Sequence, residues 1–178
     1  PFVSAIEFIN GYTLRDYITN HVYLNENILF SIIFELMIIL EYFHRNHYIY
    51  RDLKPDNVMI DLSDTVVLID FDKMKFIKNK EKIQDFTVNI GTIYAAPEIE
   101  TIECSYECDI YSLGQMIYFI MNGKDPHSKN MNFRDFQNYP KIKDFYEKCT
   151  KFNASERISL KYLIIEFFFI FNSKINIF

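Results

Sequence analysis

The stretch YIYRDLKPDNVMID, residues 48–61, gathers Arg51, Asp52, Lys54, Asp56 and Asn57 between two apolar runs. A further carboxylate, Asp70, closes the next apolar run, VVLID, 18 residues after Asp52. Carboxylates can accept protons or hold a hard cation, and ammonium and guanidinium groups can counter an anion. Catalysis by charge requires such groups to be aimed at one point by rigid supports, which a turn between regular elements can provide.

The supporting elements are legible in the hydrophobic periodicity. From Asn25, a suitable N-cap, Ile28/Leu29, Ile32/Ile33, Leu36/Met37, Leu40 and Phe43 recur at three- and four-residue spacing, predicting a helix over 26–45. Beyond Pro55, NVMI and VVLI flank the polar DLSDT, predicting two short strands and a turn that present Asp52 and Asp70 at the ends of rigid elements. Residues 2–9 read as a strand, broken at Asn10-Gly11 before a short helix over 13–20. Residues 72–93 are Lys-rich and aperiodic, predicting a long surface loop. Ile110, Leu113, Ile117 and Ile120 mark a helix running from Asp109 to a stop at Gly123. Ile142, Phe145, Tyr146 and Cys149 mark a weaker helix, and Ser159 suits the cap of a last one through about Phe169.

Composition narrows the class. A chain of 178 residues, 49% hydrophobic and 17% aromatic, can bury one sizeable core. A net charge of −5 offers no basic field to track a phosphate backbone, so nucleic acid is not an expected partner. Cys104, Cys108 and Cys149 form an odd set without CxxC, read as ordinary thiols in an intracellular, cytoplasmic setting and not as a disulfide frame or zinc site. The run ILFSIIFELMIIL, 28–40, is interrupted by Glu35 and falls short of the ~20 apolar residues of a spanning helix, so no membrane span is expected.

Taken in order, YRDLKPDN at 50–57, DFD at 70–72 and APE at 96–98 resemble the C-terminal lobe of a eukaryotic serine/threonine protein kinase. EFINGYTLRDYI resembles that family's hinge and following helix, CDIYSLGQMIYFIMNGKDP its long central helix, and FYEKCTKFNASERIS its closing arginine segment. The resemblance implies an α+β, protein-kinase-like fold with a mainly α-helical C-lobe and a small β-hairpin at the catalytic loop. It implies a partial kinase domain over 1–178, with 1–11 as the last N-lobe strand and hinge and 12–178 as the C-lobe; the other lobe is expected upstream.

The implied activity is transfer of the ATP γ-phosphate to a protein Ser or Thr hydroxyl with Mg2+. By resemblance, Asp52 accepts or orients the acceptor proton, Lys54 neutralises the γ-phosphate, and Asn57 and Asp70 hold the metal. Thr92 would bond the catalytic aspartate and lysine. Ile6, Glu7, Phe8 and Ile9 correspond to the adenine-binding hinge, while Tyr50 and Phe71 correspond to the lower half of a stacked column linking the lobes. Arg51 would grip a phosphorylated activation loop, with Thr87 as the phosphate carrier. Glu98 and Arg157 correspond to a buried ion pair, and Asp109 to the carboxylate that holds the catalytic loop.

Two departures bear on this reading. Asp72 replaces the glycine of the DFG pattern, where a Cβ penalises backbone angles open to glycine. The span GTIYAAPE is one residue shorter than usual. The sequence also holds no Gly-rich loop, strand lysine or helix glutamate of the N-terminal lobe, and a kinase-like scaffold without phosphotransfer is the alternative reading.

Overall fold

The computed structural model describes residues 7–20, 25–77, 92–101, 104–126 and 139–172. Its axis is helix α2 (Glu26–Arg45), capped by Asn25, whose side chain accepts from the Asn27 amide. The apolar stripe that predicts this helix also explains its burial: Phe30, Ile33, Leu36, Met37 and Leu40 are enclosed. The helix is long and apolar enough to cross a membrane. Here that apolar stripe packs in a shared core against helices α3 (Tyr106–Asn122) and α5 (Leu160–Phe171). Phe30 stacks on Phe171 with ring centroids 4.5 Å apart, which fixes α5 over the N-terminal half of α2.

Ser159 caps α5 by accepting from the Tyr162 amide, and Gly123 ends α3 at φ 64°, the left-handed conformation that favours glycine. Helix α4 (Pro140–Cys149) lies so close to α3 that a Cβ on Gly114 would meet the Cys149 Cβ at 2.7 Å. Helix α3 begins three residues before the expected Asp109, so Asp109 sits within its first turn.

The β structure is small and gathers around the charged turn. Strands β1 (Gly11–Thr13), β3 (Val58–Asp61) and β4 (Val66–Leu68) form an antiparallel sheet in the order β1-β3-β4, with Gly11 opposite Asp61 and Val58 opposite Leu68. A short helix α1 (Leu14–Asn20) follows β1. The turn between β3 and β4 is closed by Asp61 Oδ1, which accepts from the Ser63 and Thr65 amides at 2.8 and 2.9 Å.

Four sequence expectations change. Residues 7–10 are not strand, and 1–6 of the expected 2–9 strand lie outside the described residues. Gly11, read as a breaker, instead begins β1, because a Cβ there would stand 2.1 Å from the Ile60 carbonyl oxygen. Inside the expected 72–93 loop, strand β5 (Lys75–Phe76) pairs with β2 (Tyr48–Ile49), so the chain after Asp70 is tied beside the charged turn. Cys104 and Cys108, expected as ordinary thiols, are bridged to each other, whereas Cys149 is free and buried. Both bridged residues sit in a small buried cluster with Ile49, Ile77, Ala96 and Ile99.

Candidate active site

Asp52 is the hub of the site. Only 7% of it is exposed, and its Oδ2 accepts from Lys54 Nζ at 3.0 Å and from Asn57 Nδ2 at 2.9 Å. The Asn57 amide also donates to the Asp52 backbone carbonyl at 3.0 Å. Pro55 explains this closure locally: at the first position of the short 3-10 turn Pro55–Asn57 its fixed φ is suited to the turn and its missing N–H costs nothing. That turn brings residue 57 back over residue 52 and delivers the chain directly into β3.

The turn is held from below by Asp109. This fully buried carboxylate accepts from the Tyr50 and Arg51 amides at 2.9 and 2.8 Å, and His44 Nε2 lies 2.8 Å from its Oδ2. Arg51 has φ 72°, a left-handed backbone that a non-glycine residue keeps only where its surroundings enforce it, and the bond from its amide is part of that enforcement. The Tyr50 hydroxyl donates to the Ile69 carbonyl, joining the turn to the end of β4 and to Asp70. Burial, with Asp52 and Asp70 nearby, pushes the Tyr50 phenol well above its ordinary range, so it remains a donor.

Asp70 is exposed, and its Oδ1 accepts from the Asp72 amide at 3.4 Å. The backbone strain expected at Asp72 falls on Asp70 instead: Asp70 has φ 61°, and Asp72 does not occupy the left-handed region. An aspartate in place of glycine is therefore accommodated without a special angle. Magnesium binds through one or two carboxylates together with phosphate and water. Asp70 supplies such a carboxylate, and Asn57 retains its carbonyl oxygen while its nitrogen serves Asp52, so the donor set fits.

Phe71 packs edge-on against Tyr50 at 5.9 Å and Phe43 at 6.1 Å and is 48% exposed. Among the hinge candidates Glu7 and Phe8 are exposed, Phe8 to 87%, and Ile9 is half-buried. Ile6 and Thr87 lie outside the described residues.

Thr92 lines a groove with Arg15, Lys54, Asp56, Ile93, Tyr94 and Asp125. Farther along, Glu98 and Arg157 form the expected pair: one guanidinium nitrogen meets Glu98 Oε2 at 2.7 Å and the other meets Oε1. Arg157 also donates to the carbonyls of Lys151, Glu107 and Phe152, so the segment ending in Glu98 is fastened to the start of α3 and the loop after α4.

Two features were not singled out from the sequence. Arg15 forks onto Asp56 at 2.8 and 2.9 Å and reaches Asp125 at 3.0 Å, and the Tyr94 hydroxyl also donates to Asp125. The hydrogen bonds from Arg15 hold the Asp56 carboxyl below its usual range. Burial alone would raise Asp125, but donation by Tyr94 and Arg15 outweighs it and the net shift is downward. The second feature is Lys73, whose Nζ donates to Asp52 Oδ1 at 2.9 Å. Its only signal in the sequence is a cation directly after DFD.

The protein kinase domain family profile matches residues 2–169. The chain is 33% identical over 162 residues to a probable serine/threonine-protein kinase KIN1 homolog of Enterocytozoon bieneusi, covering 89% of this chain and 27% of that protein. It is 37% identical over 128 residues to the KIN1 homolog of Encephalitozoon cuniculi, covering 70% and 22%. Protein kinase kin1 of Schizosaccharomyces pombe is 29% identical over 128 residues, covering 70% and 14%. The chain thus spans about a quarter or less of the length of these relatives.

Proposed function

Because the chain belongs to the protein kinase domain family, we propose that it forms the catalytic-loop part of an ATP-dependent serine/threonine protein kinase acting on protein hydroxyls. The observation that carries the proposal is the closed set Asp52, Lys54 and Asn57, bonded to one another on a turn that Asp109 anchors. Those side chains are positioned before any substrate arrives, which is how a site stabilises developing charge without reorganising.

In this reading Asp52 orients the acceptor hydroxyl and takes its proton, and Lys54 carries the compensating charge toward the phosphoryl oxygens. Asn57 and Asp70 hold magnesium, which when bound neutralises phosphate charge. Thr92 bonds Asp52 and Lys54 in the assembled site and favours Ser or Thr acceptors. Arg51 and Thr87 remain a proposed pair for loop phosphorylation. Residues 7–9 serve as the adenine-binding hinge, and Tyr50 and the part-exposed Phe71 form the lower half of the stacked column. An intracellular, cytoplasmic place of action is proposed with ATP as the donor, and the Cys104–Cys108 bridge removes the support that free thiols would have given it.

Asp52→Asn in the full-length protein tests this. Peptide phosphorylation is expected to fall by about 10² to 10⁴ as the general base is lost. Undiminished activity would overturn the assignment, and ATP-independent partner binding without any transfer would make the domain a scaffold.

A further inference from the structure

Asp52 can orient an acceptor hydroxyl only through an oxygen that points toward the acceptor. Its Oδ2 is occupied by Lys54 and Asn57, and its Oδ1 already accepts from Lys73 at 2.9 Å. Lys73 is not a loose surface lysine, since the chain is fixed on both sides of it. The Met74 amide donates to the Phe71 carbonyl at 3.0 Å, closing a tight turn, and β5 follows at Lys75. Acidic Asp70 and Asp72 lie nearer in sequence, yet its ammonium is directed inward to Asp52.

We propose that Lys73 is a displaceable plug on the catalytic carboxylate, and that the preferred acceptor is a Ser or Thr flanked by a carboxylate. The inference rests on the reading of Asp52 as the group that orients the acceptor. In the resting site the Lys73 ammonium holds the oxygen that the hydroxyl must use, so acceptor binding has to move it aside. The contact is part-buried, with 34% of the Lys73 side chain and 7% of the Asp52 side chain exposed, so solvent screens it only partly. An evicted ammonium near a neutral acceptor loses its partner, whereas an acceptor with an adjacent Glu or Asp gives it a new one. The plug therefore both restrains the empty site and selects acidic acceptors.

Two measurements on the full-length protein decide this. The first is the rate at which Lys73 reacts with an amine-selective succinimidyl ester, read by peptide mapping, in the wild type and in Asp52→Asn. Faster labelling of Lys73 in the variant, by several-fold, is expected; equal rates overturn the plug whether or not the protein transfers phosphate. The second is steady-state kinetics of Lys73→Met, with Lys73→Gln as an independent replacement, on peptides carrying Ala or Glu beside the acceptor. The KM for the Ala peptide is expected to fall about fivefold and the preference for Glu to disappear, the size of effect one part-exposed ion pair supplies. An equal loss of kcat/KM on both peptides would make Lys73 a supporting residue and overturn the proposal. If Asp52→Asn retains full activity, the reading of Asp52 fails instead, and the labelling result still reports on the contact.

Discussion

Replacing Asp109 with Ala should undo the Asp52 turn from beneath without touching any group at its surface. The carboxylate accepts two backbone bonds, from Tyr50 at 2.9 Å and Arg51 at 2.8 Å, inside a fully buried environment. Bonds to a charged acceptor contribute about 1.5–3 kcal/mol each, so losing both costs about 3–6 kcal/mol. Against a total stability of about 5–15 kcal/mol, that is a large fraction. With a urea slope of about 1–3 kcal/mol/M, the unfolding midpoint should drop by roughly 2 M. Asp109→Asn keeps one acceptor oxygen and turns an amide donor toward the other N–H, so it should fall between Ala and wild type. Hydrogen exchange localises the effect: the Tyr50 and Arg51 amides should lose protection before those of α2. A midpoint shift below about 0.5 M, or unchanged exchange at these two amides, would refute the claim that Asp109 holds the turn.

Other outcomes follow from the same geometry. Arg157→Met and Glu98→Gln should each destabilise by about 3–5 kcal/mol, and the double variant by clearly less than their sum, because each single change leaves the buried Arg157 or the part-buried Glu98 without its countercharge. Strict additivity in denaturant titrations would show that the pair is not coupled. Burial pushes the Cys149 thiol from its ordinary 9.0 up to about 12. A raised thiol pKa contributes stability that is fully present below pH 9 and is lost as pH climbs toward 12, so Cys149→Ala should show a shallower alkaline decline in melting temperature. A wild-type decline no steeper than that of the variant would contradict this.

The sequence revealed what neighbouring residues decide and concealed what distant ones decide. Helix α2 was legible because its stripe of Ile and Leu matches the helical period, and Asn25 caps it as its type suggests. Asp52, Lys54 and Asn57 were legible because one proline-directed turn contains all three. Strand β1 was not, since Gly11 is required by its approach to Ile60, 49 positions away in the chain, and not by its own turn tendency. Lys73 and Arg15 were missed for the same reason: their partners lie 21, 41 and 110 positions distant, and a lone cation in a polar segment gives no hint of its direction. The bridge between Cys104 and Cys108 lies in a buried cluster that cysteine spacing alone does not reveal. At Asp72 the concern about a missing glycine was sound in principle, but the left-handed angle belongs to Asp70, one position before Phe71.

In the proposed function the Asp52 turn serves phosphate transfer to aliphatic hydroxyls. The most direct test is the initial rate of transfer from magnesium-ATP, by the full-length protein, to matched peptides whose sole acceptor is Ser, Thr or Tyr. Phosphate on the Ser or Thr peptide, with none on Tyr, is the expected result. Transfer to Tyr alone, or none to any of the three by a folded protein, would contradict it.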